Sequence, residues 1–494
     1  MGRGTALSLM LLAALFACIA GSAERAQDSV RITVVPPTCT EDGYSRYEDL
    51  ENGSVTIGDE VPASGHRFGE WIADEEPGMA RRVCEVCGIV ETRPQTAALS
   101  LPIIRLSGSM AKISKENRVP LGFHFEGQDA VFECCALTTW QGHASLSYPK
   151  KNYTVRLYDD ETLTHKHKLV FRQWQNEHKY VLKANYRDPS QLRNLLAADM
   201  WADFVQTRPE LSPVLARTSH FGAVDGFPVA VYLNDEFHGL YTMNLHIDDD
   251  LYAMRGKRDA VMISNSADPE ETRFLAHAAF TDEKNAWEVE YCGSEDAQWA
   301  RDQLNELIDF VMSSDDDAFF TSLGHYLDVD AAVDYLIFIY AVGLPDNAAQ
   351  DLVLLTYDGG PWIPTVYDME HAFGLSKDGS AYLSPADFLP GVDSSNTGSL
   401  LWDRLLRCYG GRVRARYKAL RETVLREKDL IQRVGDAASV IPAEYMELDL
   451  ALYPRTSLPD PVNQIKAYIE QRLTLLDCAL LGSTTTIEEG GRMP

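Results

Sequence analysis

Along the chain the period of the apolar positions changes from strand-like to helix-like. Asn152–Tyr158 alternates polar and apolar residues, and 229–233 (Val-Ala-Val-Tyr-Leu) continues that strand texture. Asn234-Asp235 followed by 236–241 (Glu-Phe-His-Gly-Leu-Tyr) predicts a hairpin, because Asn and Asp tolerate the left-handed backbone that a two-residue loop needs. Over 189–204 the apolar residues Leu192, Leu195, Leu196, Met200 and Phe204 fall on one helical stripe. After about Asp296 the helical period dominates. Trp299, Leu304, Leu307, Ile308 and Val311 mark one helix, and Val329–Val342 marks a second that is too apolar for a surface. Strands are predicted at 353–356 and 362–366 around Tyr357-Asp358-Gly359-Gly360, with closing helices over 400–426 and 461–481. Strands first and helices later predict an α+β fold.

The first residues read differently. A short basic start (Met1-Gly2-Arg3-Gly4), an apolar run over 6–20 and small residues before Glu24 predict a secretory signal peptide at 1–23. The run is short for a membrane span, and no second run of spanning length follows. The expectation is a secreted or cell-surface protein with no transmembrane segment in the mature chain. Phe16 stands where a lipoprotein signal wants a small residue, so lipid anchoring at Cys18 is the lesser expectation. Residues 24–97 are rich in Gly, Pro, Glu and Thr and predict a small β-rich module; 98–482 form the main domain and 483–494 a polar tail. The phrases PPTCTEDGY, GHRFGEW and RRVCEVCGIVETR resemble small repeat modules of secreted Gram-positive proteins, which serve as spacers or attachment units. Cys84-Glu-Val-Cys87-Gly88 has the form of a zinc knuckle, with Cys39 and His66 upstream. A structural zinc wants four ligands and a second CxxC is absent. Zn²⁺ at Cys84 and Cys87, a disulfide and free thiols all stay open.

Composition narrows the function classes. With 45% hydrophobic residues the chain can bury a large core. It carries 73 acidic against 45 basic residues, a net charge of −28, which repels phosphate backbones and predicts no nucleic-acid partner. Walker, GxGxxG, HExxH and GxSxG motifs are missing from the sequence.

Candidate chemistry lies in 344–374. Asp346, Asp351, Asp368 and Glu370 fall at the ends of predicted strands and turns. Phosphoryl transfer uses a proton-accepting carboxylate and oxygen ligands for Mg²⁺. In protein kinases these come as an Asp, a ligand five positions later, and a second metal-binding Asp after the next hairpin. Here Asp351 follows Asp346 by five and Asp368 lies across the predicted hairpin. Turn aspartates that cap their own backbone give the same pattern, so spacing alone does not decide.

Four phrases in order resemble the CotH kinase family over about 101–480: Tyr148-Pro-Lys-Lys151-Asn-Tyr-Thr-Val-Arg-Leu-Tyr158; Tyr180-Val-Leu-Lys-Ala-Asn-Tyr-Arg-Asp188 with Leu192-Arg193-Asn194; Val231-Tyr-Leu-Asn-Asp-Glu-Phe-His-Gly-Leu-Tyr241; and Tyr367-Asp368-Met-Glu370-His-Ala-Phe-Gly374. The resemblance implies an atypical two-lobed kinase-like domain that uses ATP and Mg²⁺ to phosphorylate Ser or Thr of secreted or surface proteins. It implies Asp346 as proton acceptor and Asp351, Asp368 and Glu370 as the metal side. Lys151 is the candidate phosphate-binding lysine, with a solvated strand lysine as the alternative. Arg193 either reaches a phosphate or pairs with Asp188. Tyr186 and Trp362 either stack on adenine or pack in the core. Two departures stand out: Gln350-Asp351 where the family commonly has His-Asn, and Leu245 where it usually has Glu. They leave a second reading open, a weak or inactive module with an attachment role.

Overall fold

The computed structural model describes residues 23–482 apart from 28–29, 70–71, 74–78, 95–100, 129, 143, 170–173, 175–176, 266–269, 279–285, 392–394 and 457. Cys18, the rest of the expected signal peptide before Ala23 and the tail 483–494 lie outside the described residues. The chain divides into two compact units, Met1–Leu99 and Ser100–Pro494.

The first unit holds an antiparallel sheet of Ala23–Gln27, Val30–Val35, Gly43–Asp49 and Val55–Val61, in that order. A three-stranded sheet follows, made of Ile72–Ala73, Met79–Val83 and Val90–Pro94. Val55, Ile57, Val61, Val86 and Ile89 are exposed, while the buried side chains among its described residues are Cys39, Ser45 and Cys84. Among its described residues this unit has almost no apolar core.

The second unit mixes sheet and helix, in keeping with the α+β expectation. Seven strands close into a barrel in the order Val131–Gln141, Asn152–Tyr158, Lys179–Lys183, Glu236–Leu245, Gly226–Leu233, Ile103–Ser107 and Val119–Glu126. All pairs are antiparallel except Gly226–Leu233 with Ile103–Ser107. The predicted hairpin is the pair Gly226–Leu233 and Glu236–Leu245, turned by Asn234 (φ 51°) and Asp235 (φ 65°). Closure itself was not expected, since alternation reports the buried face of a strand and not its neighbour.

Beyond the barrel, strands Glu288–Cys292, Val261–Ser264, Leu352–Thr356 and Ile363–Val366 form a second sheet. Helix Val329–Val342 is buried at every position from Ala331 on. Trp201 of helix Arg193–Gln206 packs edge-on against its Phe338 (5.1 Å between centroids), and Trp402 of helix Leu400–Arg421 stacks on Tyr335 (5.1 Å). Its buried Asp334 is paired with Arg208 (2.9 Å) and Arg416 (2.7 Å). The first helix begins at Arg193, later than the stripe suggested, because Asp188 folds the chain into a turn. Its carboxylate accepts from the N–H of Ser190 and of Arg193. The expected helix over 400–426 ends at Arg421, where the Leu425 N–H turns back to the Leu420 carbonyl. The helix over 461–481 is regular only as Pro461–Leu476 and closes with a wider turn.

A shortened chain starting at Ser100 is expected to stay soluble and unfold in one cooperative transition, since the core lies within this unit. Circular dichroism during thermal unfolding checks this. Aggregation or a broad, shallow transition would place the boundary elsewhere.

Candidate active site

Four segments of the second unit bring charged side chains together. Lys183 ends a barrel strand, and its Nζ donates to Asp368 Oδ1 at 2.6 Å. Asp346 lies in the short turn Asp346–Ala348 beyond Gly343, which ends helix Val329–Val342 with φ 70°. Asp351 immediately precedes strand Leu352–Thr356, and Asp368 follows strand Ile363–Val366 after Tyr367.

Each acidic segment is braced. Asn265 clamps both sides of Asp351: its Oδ1 accepts from the Leu352 N–H (2.9 Å) and its Nδ2 donates to the Ala349 carbonyl (2.9 Å). Past Asp368, the Met369 N–H donates to Asn194 Oδ1 (3.0 Å) and the Phe373 N–H to the Val342 carbonyl (2.7 Å). Asp351 (φ 58°), Asp368 (φ 48°) and Phe373 (φ 60°) all have left-handed backbone. For a non-glycine residue that costs roughly 1–3 kcal/mol and persists only where the surroundings impose it. Two carboxylates in that state are aimed by their surroundings.

The charges act on one another. Burial pushes Asp351 up to about 8, helped by the charges of Asp368 and Asp346. Burial and the neighbouring Asp368 carry Glu370 to about 7. Burial works against the charge on Asp368, but the Lys183 ammonium overrides it and holds this carboxyl below its ordinary value. Burial likewise opposes the charge of Lys183, and Asp368 and Glu370 overcome it, so the lysine stays protonated. Asp346 is met by the Lys377 ammonium at 2.9 Å. Among the described residues, the lysine and arginine cations that act on these four carboxylates are Lys183, Lys377 and Arg187, one fewer than the carboxylates.

That donor set fits Mg²⁺, a hard cation taking oxygen ligands. Among the described residues, the sets of three or more ligating side chains within 4.8 Å of one another are Cys39–His66–Cys84–Cys87, Asp199–His220–Asp225 and Asp248–Asp249–Asp250. Asp346, Asp351 and Asp368 form no such closed cage. Their arrangement suits a cation that completes its shell with phosphate oxygens and water. Beside them runs a cleft lined by Lys183 and Asp368 and walled by Val181, Leu245 and Met369. Asn244 also lines this cleft, and its Oδ1 is buried without a hydrogen-bond partner.

Of the residues singled out from sequence, the structure gathers Asp346, Asp351, Asp368 and Glu370. It does not bring Lys151 or Arg193 into the cluster as phosphate ligands. The Lys151 ammonium donates to the carbonyls of Leu146 (2.7 Å) and Tyr148 and lies over the Trp140 ring. It ties a loop to its own strand. Arg193 is fully buried, paired with Asp188 (3.2 Å), and donates to the carbonyls of Ala372 (2.7 Å) and Phe373 (2.9 Å). Its task is to hold the turn that follows Glu370. Trp362 is a core residue, and Tyr186 stacks on Tyr148. Sequence reasoning missed Lys183, Lys377 and Asn194. Lys183 lay inside the phrase 180–188 already noted, where its place at a strand end was the available signal.

A family model described as "CotH kinase protein" matches residues 139–476, which include all four charged segments. A search of curated proteins returns no match.

Proposed function

The chain belongs to the CotH kinase family, and from that premise we propose that it is a secreted or surface protein kinase using ATP and Mg²⁺ to phosphorylate Ser or Thr of other exported proteins. The reading treats the barrel and the helical part as two lobes with nucleotide between them. The observation that carries it is the Lys183–Asp368 pair, with Asp351 and Glu370 beside it. Kinases need a lysine on the phosphates and an Asp on the metal, close enough to act on one phosphoryl group.

In this reading Lys183 takes phosphate oxygens, and Asp351, Asp368 and Glu370 hold the metal. Val181, Leu245 and Met369 flank the base, and Asn244 Oδ1 offers an acceptor to an amino group. Bound Mg²⁺ supplies positive charge against that developing on the transferring phosphoryl. Asp346 accepts the hydroxyl proton of the substrate while the new P–O bond forms. The bond from the γ-phosphorus to its bridging oxygen breaks, and ADP leaves. Lys377, largely exposed, must release Asp346 for this step. The Glu that the resemblance places at Leu245 is not needed to anchor the lysine here, because Asp368 pairs with Lys183 directly.

One observation favours the second reading, an inactive module: Asp346, the proposed proton acceptor, is already paired with the Lys377 ammonium at 2.9 Å. The paired test measures nucleotide binding by calorimetry and phosphate transfer at several Mg²⁺ concentrations. Asp368→Ala is expected to lose Mg²⁺-dependent nucleotide binding. Asp346→Asn should still bind nucleotide, with transfer lowered by roughly 10²–10⁴. Undiminished binding in Asp368→Ala rejects the metal assignment. An unmodified protein that neither binds nor turns over ATP supports the inactive module instead.

A further inference from the structure

We propose that Cys39, His66, Cys84 and Cys87 bind one structural Zn²⁺ that organises the N-terminal unit. The CxxC pair alone offers two ligands. The fold supplies the other two, from the loop after Val30–Val35 and from the segment between the two sheets. All four ligand atoms lie within 4.8 Å of one another.

Two of the spacings match edges of a coordination tetrahedron. With Zn–S near 2.3 Å, two sulfurs on one zinc stand about 3.8 Å apart. Cys39 Sγ and Cys84 Sγ are 3.8 Å apart, and Cys87 Sγ is 3.3 Å from His66 Nδ1. The backbone is set to hold this shape. The Gly88 N–H closes the knuckle on the Cys84 carbonyl, and Gly88 has φ 73°, a conformation glycine adopts freely. The Glu85 N–H donates to the Arg67 carbonyl, and Phe68 bridges to Cys84, so the histidine segment runs alongside the knuckle. On the other side, the Ser64 N–H donates to the Thr38 carbonyl, next to Cys39.

The unit also has little else to fold around. Its described buried side chains are two of the proposed ligands and Ser45, while Val34, Val55, Ile57, Val61, Val86 and Ile89 are exposed. Domains of this size without an apolar core depend on a disulfide or a metal. A disulfide would join two of the three sulfurs and leave one thiol and the imidazole without a task. One divalent zinc engages all four, with the three thiols losing protons and the neutral imidazole binding through Nδ1.

The test uses the full chain, purified without chelator. Elemental analysis should find about one zinc per chain, and replacement by Co²⁺ should give the intense visible bands of a tetrahedral thiolate site. Cys84→Ser and His66→Ala should each lower bound zinc at least tenfold, without moving the unfolding transition of the second unit. The Co²⁺ spectrum of the unmodified protein reports the ligands directly, so it stands even where a variant misfolds. A metal-free protein in which peptide mapping finds a Cys39–Cys84 disulfide overturns the proposal. So does zinc retained in full by Cys84→Ser, which would put the metal at another site.

Discussion

Replacing Lys183 by methionine is expected to lower ATP-dependent phosphate transfer by on the order of 10²–10³, the usual loss when one preorganised charge on a transition state is removed. That corresponds to about 2.7–4 kcal/mol of barrier. Asp368 would lose the ammonium at 2.6 Å and be left beside Asp351 and Glu370 with like charge around it. Lys151→Met is the matched control. Its ammonium is engaged by the carbonyls of Leu146 and Tyr148, so activity should stay within a few-fold of the unmodified protein. Initial rates of transfer to a generic protein substrate, with unfolding midpoints measured in parallel, decide the matter. Were Lys151→Met the inactive variant and Lys183→Met the active one, the phosphate lysine would have been misassigned.

The largest effect on stability is expected at Lys150, next to that control. Lys150 and Asp449 are both fully buried and 2.7 Å apart. The ammonium also donates to the Leu240 carbonyl and sits over the Tyr241 ring, while Asp449 accepts from the Leu240 N–H. Lys150→Met removes one of two cations from a buried carboxylate, since Arg455 also lies 3.0 Å from Asp449, and should cost about 3 kcal/mol in denaturant unfolding. Burial nevertheless draws Lys150 down to about 8 against the pull of Asp449, so the attraction does not fully repay the desolvation. Lys150→Met combined with Asp449→Leu removes both ends of this pair but leaves Arg455 without its carboxylate, so it should recover part of the loss. The pH dependence has a definite sign. Below about pH 8 lysine is protonated in folded and unfolded chains alike and its burial cost is fully present. Between about 8 and the ordinary lysine value the unfolded chain binds the extra proton, so this group's contribution to stability rises with pH, by about 3 kcal/mol in all. A double variant no more stable than Lys150→Met, or one that keeps this alkaline rise, would count against the assignment.

These two lysines show where reading the sequence stopped. Periodicity located the hairpin at Asn234-Asp235 and the buried helix Val329–Val342, because each is written in neighbouring residues. The four carboxylates were legible for the same reason: they lie within 25 residues, on turns that strand and helix signals bracket. Which lysine faces them was not. The Pro-Lys-Lys phrase looks like a functional motif, yet its first lysine answers Asp449 and its second the local carbonyls. Lys183 meets a partner 185 positions away. Packing of the barrel against the segment that follows the second sheet decides that contact, and no local period reports such packing. Cys39 and His66 stayed undecided for a like reason, since only the fold sets them beside the Cys84 knuckle.

Tyr468, on helix Pro461–Leu476, bears on the order in which the molecule is made. Its side chain presses on two glycines with left-handed backbone. A Cβ on Gly343 would come within 2.0 Å of its hydroxyl, and one on Gly374 within 2.5 Å of its ring. Gly343 leads into Asp346, and Gly374 ends the turn that begins at Asp368. A chain emerging from its N-terminus delivers the barrel, Lys183 and the four carboxylates of the site before this helix exists to press them into place. The acidic centre is thus complete in sequence about a hundred residues before its last brace arrives, and any activity it has is acquired last.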